Sequence, residues 1–472
     1  MMKSFIGGVH PDDGKAYAKD KAIETPAIPD EVVIPMSQHF GAPCTPTVKV
    51  GDHVKKGQLI GTSDAFLHAD IHASTSGEVV KVAPMPHNMM VTCMSVVIKA
   101  DGLDEWADGL PDEKDWRQLD KTEIVERIKK GGVVGCGGAT FPAHVKLTPN
   151  KPVDTFIVNA AECEPYLTCD YRLMLEQAEK LVTGVQICMK ALGVDKGYIG
   201  IEDNKPEAVK VLTEAFASVP EVTVEALPTK YPQGAEKMLI KAVTDREVEP
   251  GGLPMDVGCV VSNVGTVIAI TDAVCHGIPF IERVTTVTGD CIKEPKNLSL
   301  RIGTPFQYAI DYCGGFSSQP DRVIAGGPMM GLAQFQLDVP VAKGVSGILA
   351  LSPEKCQVGV EDPCIRCGRC VDACPMGLIP SQLSIFSSCE AWDKCMEYGV
   401  MNCVECGSCV YVCPAKRNIV QYIRNAKAQV KAKLQRQKQK PNRLVLNGRR
   451  DNYGTEYTRS RSDCVLLTAC PL

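Results

Sequence analysis

Eight of the 23 cysteines fall into two short segments with the same spacing. Each segment reads C-x2-C-x2-C-x3-C-P, which is the pattern of two-cluster ferredoxins. Three closely spaced thiolates can surround one face of an iron–sulfur cubane, whereas the fourth cysteine follows on a helical turn and ligates the other cluster. The spacing therefore predicts two [4Fe-4S] clusters, one on Cys364, Cys367, Cys370 and Cys413 and one on Cys374, Cys403, Cys406 and Cys409.

Zinc is the alternative occupant, but zinc sites need only two Cys-x-x-Cys pairs and no terminal Cys-Pro. Cys389 and Cys395 lie between the two segments, and we expect them to pack in the interior. Two clusters in one module form an electron relay, so the rest of the chain should contain a source or a sink of electrons.

The segment GCGGATFP, residues 135–142, is a candidate cofactor loop. A Rossmann fingerprint would follow a strand and open a helix, whereas this loop follows a predicted helix (122–130) and ends in Phe-Pro. Consecutive glycines can still present backbone amides to a phosphate or a flat ring. An acidic turn, AAECEP (160–165), ends the next predicted strand, and acidic groups there suit ribose hydroxyls or a flavin edge. The alternative is a tight loop beside surface acids.

Many ordered motifs between residues 5 and 425 resemble the RnfC proteins of Rnf electron-transport complexes. The resemblance rests on FIGGVHP, PMSQHFGAP, VKVGDHVKKGQLIG, GCGGATFP, NAAECEPYLTCDYRLM, YPQGAEKMLI, SNVGT, GGPMMG and both cysteine segments. The central part is also similar to the NADH- and FMN-binding subunit of respiratory complex I. The resemblance implies non-covalent FMN, NAD(H) as substrate, and binding rather than acid–base roles for the site residues, so no catalytic residue is predicted.

The resemblance also assigns the cofactor contacts by position. Gly135, Gly137, Gly138 and Ala139 would border FMN, with Asn159 and Glu162 on its isoalloxazine edge or ribityl chain and Asn263 and Thr266 near its ribityl-phosphate end. Phe141 would stack on a nucleotide ring, Glu164 would lie near a ribose, Lys146 would supply positive charge near phosphates, and Glu236 is a further candidate. The loop departs from the complex I pattern because Cys136 replaces an arginine and Thr140 replaces a glycine.

The elements that must position these residues indicate a multidomain α/β protein. Short apolar runs between turn residues predict a lipoyl-like β-sandwich over 1–102, without a lysine at the carrier hairpin, followed by an acidic linker (103–120). Alternating strands and helices predict a Rossmann-like FMN/NADH domain over 121–280, with strands at 155–160, 197–202 and 222–227 and a helix over 171–192. The resemblance implies a β-grasp, SLBB-like domain over 281–345. A ferredoxin-like helical domain would occupy 353–425. Residues 426–472 would form a basic tail that begins as a helix and ends disordered, and in which Cys464 and Cys470 are not ligands.

The formal net charge of −5 does not favour a nucleic-acid partner. The chain contains no uninterrupted apolar run of transmembrane length and no signal-peptide core, so we expect a cytoplasmic location. The Rnf resemblance implies a peripheral protein on the cytoplasmic face of the membrane, with the other Rnf subunits as partners and ferredoxin as an indirect one. Residues 424–450 are basic and would either contact anionic lipid or acidic partners or remain solvated.

Three functions are compatible with these patterns. The first is the NADH- and FMN-binding subunit of an ion-translocating Rnf complex. The second is a soluble flavin and iron–sulfur reductase of similar architecture, such as a microcompartment cobalamin reductase. The third is an iron–sulfur scaffold that binds no NADH.

Overall fold

A computed structural model describes residues 3–356 and 359–439. An N-terminal segment (3–30) lies against the later domains and contributes strand β1 (Ile23–Glu24) to one of their sheets. The next unit is a β-sandwich, as predicted. Its strands are β2 (Glu31–Pro35), β3 (Thr45–Pro46), β4 (His53–Val54), β5 (Leu59–Thr62), β6 (Ile71–His72), β7 (Gly77–Pro86) and β8 (Thr92–Ala100).

The sandwich consists of a four-stranded sheet in the order β2-β8-β7-β4 and a three-stranded sheet in the order β3-β5-β6. Both sheets turn apolar side chains toward one core that includes Val32, Ile60, Ile71 and Ile98. The acidic segment after the sandwich is irregular, as expected of a linker, yet it is tied down because Arg127 binds Asp112 at 2.6 Å.

The central unit is a parallel sheet covered by helices on both faces. Its elements are α1 (Lys121–Lys130), α2 (Ala143–Lys146), β9 (Thr155–Ala160), α3 (Cys169–Glu176), α4 (Ala178–Leu192), β10 (Gly197–Glu202), α5 (Pro206–Ala215), β11 (Val222–Leu227), α6 (Glu236–Thr244), β12 (Cys259–Asn263) and α7 (Val264–Cys275). The strand order is β11-β10-β9-β12, and all neighbours are parallel. The main core lies between one face and α1, α4, α5 and α7, whereas α6 covers the other face.

The strand order reverses direction between β9 and β12, because the chain runs from β9 outward to β11 and then returns to the opposite side of β9. In open parallel sheets, ligands bind beyond the carboxyl ends of the strands at this reversal. Asn159 and Asn263 occupy these ends and are directly opposite each other in the register.

The prediction of one helix over 171–192 is wrong. The chain forms α3 and α4, with Gln177 between them at φ −129° and ψ 31°. The end of α3 is fixed from outside the helix, because Glu176 accepts a hydrogen bond from the Ile23 amide at 3.1 Å.

The third unit is a mixed sheet with one helix. It contains β13 (Glu282–Thr288), β14 (Lys296–Arg301), α8 (Phe306–Tyr312), β15 (Arg322–Ala325), β16 (Leu332–Gln334) and β17 (Gly347–Leu351). The strand order is β1-β14-β13-β17-β15-β16. The sheet therefore includes two strands from outside residues 281–345: β1, which precedes this range, and β17, which follows it.

The last described unit is helical. It contains α9 (Arg369–Asp372), α10 (Pro380–Ser388), α11 (Trp392–Glu397), α12 (Ser408–Tyr411) and α13 (Ile419–Gln439). Helix α13 continues beyond the predicted boundary at 425 because Ala426 and Val430 are buried in the core of this unit. Cys395 is buried there as expected, whereas Cys389 is exposed, so its predicted packing is wrong. The remainder of the predicted tail, including Cys464 and Cys470, lies outside the described residues.

Across residues 3–356 and 359–439, every helix falls short of the length or the apolar character that crossing a bilayer requires.

Gly184 marks the closest approach of α4 and α7. A Cβ at this position would lie 2.5 Å from both Thr271 Oγ1 and the Val267 carbonyl oxygen. We expect Gly184→Ala to lower the free energy of unfolding by about 1–3 kcal/mol, because overpacking outweighs the higher helix propensity of alanine. Urea unfolding followed by circular dichroism measures the loss. The control is Thr183→Ala on the same helix, and a more stable Gly184→Ala variant would contradict the packing described here.

Candidate functional site

The two cysteine segments adopt the same local backbone. Arg366 and Glu405 occupy equivalent positions with φ of 56° and 57°, and Gly368 and Gly407 follow with φ of 81° and 83°. These left-handed residues curl each segment, and a short helix begins directly afterwards. The curl directs backbone amides at sulfur, since the Glu405 amide donates to Cys403 Sγ at 3.3 Å.

Each curled segment shares a cavity with one cysteine from the other segment. Cys364, Cys367, Cys370 and Cys413 line a cavity of about 250 Å³. Cys374, Cys403, Cys406 and Cys409 line the second cavity. The structure therefore brings together both predicted ligand sets, including the crossed fourth cysteines.

The chemistry of these donors fits iron–sulfur clusters. Four thiols converge in each cavity, and burial raises the pKa of Cys374 and raises that of Cys403 to about 11. Iron binds thiolates, so cluster assembly would displace these protons.

The glycine loop lies beside the reversal point of the central sheet. It closes on itself because the Gly135 amide donates to the Phe141 carbonyl at 2.9 Å. It is attached to the start of α7 because the Cys136 amide donates to Thr266 Oγ1 at 2.8 Å. Gly137, Gly138 and Ala139 form an exposed tip.

The two strand-end asparagines are held in defined orientations. Asn263 caps α7 by accepting from the Gly265 amide at 2.8 Å, and its Nδ2 donates to Asp170 Oδ2 at 2.6 Å. Asn159 Nδ2 donates to the Gly234 carbonyl at 2.7 Å. Four predicted site elements therefore meet here: the glycine loop, both asparagines and Thr266.

Lys146 and Glu236, two further predicted residues, contact each other. Their side-chain charges lie 2.6 Å apart, and both side chains are about one third exposed. Phe141 stacks on Phe40 from the β-sandwich, with ring centroids 5.9 Å apart. Phe40 is 52% exposed and was not identified from the sequence, although it lies within the motif PMSQHFGAP.

The acids of the turn at 160–165 point into the protein. Glu162 accepts from the Asp170 and Tyr171 amides at the start of α3, at 2.7 and 3.2 Å. Glu164 accepts from the Met329 and Met330 amides at 3.1 and 2.9 Å. Burial raises the pKa of each carboxyl to about 7. Their flavin and ribose contacts stay predictions.

Lys15 fixes the backbone of this turn. Lys15 is buried, with 6% of its surface exposed. Its ammonium group donates to the carbonyls of Glu162, Glu164 and Leu167 at 2.9, 3.0 and 2.6 Å. Lys15 belongs to a segment without a recognisable motif, so the sequence offered no signal for this role.

A fully buried amide lies next to this site. Gln233 is 0% exposed, and among the described residues neither its Nε2 nor its Oε1 has a hydrogen-bond partner. It immediately precedes Gly234, the partner of Asn159. An orphaned amide, an exposed glycine tip and a helix N-terminus together fit a flat, polar, phosphate-bearing cofactor such as FMN.

The last helical unit, which carries both cysteine segments and is called the cluster unit below, packs against the central unit next to this site. Tyr231 is 2% exposed, and its hydroxyl donates to the Cys406 carbonyl at 2.7 Å. The motif FIGGVHP lies in the same joint, because Val9 pairs with Tyr231 and the Gly8 amide donates to the Ala373 carbonyl at 2.9 Å. A Cβ on Gly7 would lie 2.8 Å from the Cys374 carbonyl oxygen, so the close approach requires glycine.

Four family descriptions match successive parts of the chain. They are the RnfC barrel sandwich hybrid domain over residues 3–103, the Nuo51 FMN-binding domain over 128–272, the SLBB domain over 284–333 and the 4Fe-4S dicluster domain over 363–417. These matches confirm the predicted fold class.

The similarity to two curated proteins extends over nearly the whole chain. The RnfC-type component of a proton-translocating ferredoxin:NAD(+) oxidoreductase complex from Clostridium ljungdahlii is 58% identical, over 93% of this chain and 97% of the relative. The equivalent component of a Na(+)-translocating complex from Acetobacterium woodii is 49% identical, over 90% and 97%. A crystal structure of an NAD+-reducing [NiFe]-hydrogenase is 19% identical, with a TM-score of 0.48 over 74% of this chain and 72% of that chain.

The raised pKa values of Glu162 and Glu164 predict a pH dependence of stability. A folded-state pKa of about 7 against the ordinary 4.5 means that the native state binds protons more tightly. Stability contributed by these protons is present below about pH 4.5 and is lost as pH rises through about 7. We expect the midpoint of urea unfolding to fall over this window, and Glu164→Gln to reduce the fall. The exposed Glu179→Gln serves as control, and an unchanged slope in Glu164→Gln would refute the assignment.

Proposed function

Since the chain belongs to the RnfC family of ion-translocating ferredoxin:NAD+ oxidoreductase complexes, we propose that it exchanges electrons between NAD(H) and two [4Fe-4S] clusters through bound FMN. It acts as an electron-transfer component of an Rnf-type complex. The observation that carries this function is an interface: Tyr231 of the central, flavin-binding unit donates a hydrogen bond to the Cys406 carbonyl of the cluster unit. The relatives' names give no support to a soluble reductase.

The chain's own residues hold the groups and do no acid–base chemistry. Bound FMN supplies the conversion between the two-electron hydride of NADH and single electrons. Gly135, Gly137, Gly138 and Ala139 would border it, with Asn159, Asn263 and Thr266 orienting it from the strand ends and from α7. The crossed cysteine sets would hold the clusters.

The order of the relay follows from the joint between the units. The loop from Cys403 to Cys409 contacts the flavin unit through Tyr231, and a Cβ on Gly407 would lie 3.0 Å from the Met329 carbonyl oxygen. The other loop presents Cys367 and Ile365 to solvent, with Ile365 67% exposed. The cluster held by Cys374, Cys403, Cys406 and Cys409 would therefore be the one next to the flavin, and the other cluster would pass electrons to a partner.

The relatives are named as subunits of a complex, so the partners are other subunits of that complex. The resemblance to RnfC proteins implies that these include membrane and iron–sulfur subunits. The chain would be a peripheral protein at the cytoplasmic face of the membrane, as its resemblance to RnfC proteins implies. Ferredoxin would exchange electrons with it indirectly, through those subunits.

Anaerobic absorbance of the purified protein tests the complete relay. We expect about eight iron atoms and about one FMN per chain, with flavin and cluster absorbance bleached by NADH. Clusters without flavin, or bound flavin that NADH does not reduce, would refute the proposed function.

Paired cysteine substitutions test the crossed ligation. Cys374→Ser with Cys406→Ser removes ligands of a single predicted cluster, so about four iron atoms should remain. Cys374→Ser with Cys367→Ser affects both clusters and should leave fewer. Electron paramagnetic resonance of the reduced protein gives the same comparison. The control is Cys389→Ser. If the pair Cys374→Ser with Cys367→Ser kept about four iron atoms and the other pair kept fewer, each segment would ligate its own cluster and the crossed ligation would be wrong.

A further inference from the structure

Arg283 reaches the glycine loop from the neighbouring mixed sheet. It lies on β13 and is 3% exposed. Its Nη2 donates to the Cys136 carbonyl at 2.9 Å and its Nε donates to the Val345 carbonyl at 3.2 Å. Nη1 lies 3.0 Å from the position that a Cβ on Gly265 would take. The guanidinium is therefore placed between the glycine loop and the first turn of α7.

Within residues 3–356 and 359–439, the charge of Arg283 has no contacting counter-ion. Among the ion pairs of the described residues, Arg301 on the adjacent strand binds Asp104 and Glu282, but none involves Arg283. Cys136, Cys169 and Asp170 face the guanidinium, but burial raises the pKa of each of these three groups and so favours their neutral forms. A buried cation without a contacting anion is costly, so this position favours an anionic ligand.

A second positive feature faces the same place. The N-terminus of α7, a helix of 12 residues, begins at Val264 immediately after the Asn263 cap. The free amides and the dipole of a helix N-terminus favour anions. The same position is the one at which the ribityl-phosphate end of FMN is expected, next to Asn263 and Thr266.

We propose that Arg283 is a specificity-determining residue that supplies the positive charge for the flavin phosphate and holds the glycine loop against α7. The glycine loop carries the uncharged Cys136 and cannot supply this positive charge. Arg283 supplies it from the neighbouring domain, where it contacts the Cys136 carbonyl. The consequence is a preference for FMN over riboflavin. This inference rests on the proposed function, since it requires a bound flavin.

Binding of the two flavins to flavin-depleted, cluster-containing protein tests this role. The dissociation constants of FMN and riboflavin are measured by quenching of flavin fluorescence. We expect Arg283→Gln to weaken FMN binding by about tenfold or more, the size of a lost charged hydrogen bond, and to change riboflavin binding much less. Arg283→Lys keeps the charge and should retain part of the preference. The matched control is Arg301→Gln, which also removes an arginine from this sheet and should keep the preference.

Each outcome distinguishes an arginine that binds the flavin phosphate from an arginine with only a structural role. Equal weakening of both flavins by Arg283→Gln would overturn the proposal, because a purely structural arginine would act on both alike. Unchanged FMN binding, or a lysine variant as indifferent to the phosphate as the glutamine variant, would also overturn it. Cluster absorbance and far-ultraviolet circular dichroism establish that the variants are folded. Wild-type protein that binds neither flavin would contradict the proposed function itself, so the two failures are distinguishable.

Discussion

The ammonium group of Lys15 organises the turn on which the flavin unit, the mixed sheet and the start of α3 all depend. A lysine has three donor hydrogens, and this one uses them on three carbonyls of a single turn. Because the turn is fixed from inside, Glu162 can cap α3 and Glu164 can hold the backbone at Met329 and Met330. The cysteine loop at Gly407 then packs against Met329. One cation thus links the carboxyl edge of the parallel sheet to the cluster unit.

The candidate site is a composite of units that are separate in sequence. The β-sandwich contributes Phe40, the mixed sheet contributes Arg283, and the cluster unit meets the site at Tyr231. Lys343, which is 1% exposed, joins the units by donating to the carbonyls of Asp70 and Gly132 at 2.8 and 2.7 Å. Because Lys343 donates to backbone carbonyls of two units, it fixes the relative position of their backbones.

Elements with a strong local signal were predictable from the sequence. The strands at 155–160, 197–202 and 222–227 have the predicted bounds, because apolar runs between turn residues specify a buried strand locally. The break between α3 and α4 was not predictable. The periodic apolar face continues across it, and the constraint comes from Ile23, a residue far away in the sequence. The boundary of the last domain at 425 was likewise misplaced, because Ala426 and Val430 belong to the core of that domain through tertiary packing that local composition does not show.

By itself the sequence determined the cluster chemistry, since the spacing of cysteines along a short chain limits which sulfurs can surround one cubane. It also indicated the glycine loop and the two asparagines of the candidate site, which belong to contiguous motifs. Only the tertiary structure decided where the charges lie: Lys15 under the acidic turn, Arg283 behind the loop, and Glu162 and Glu164 directed inward. The physical reason is that a buried charge is stabilised by whichever donors and acceptors folding brings around it. Those partners are up to 166 residues away along the chain, as between Glu164 and Met330, and no local pattern encodes them.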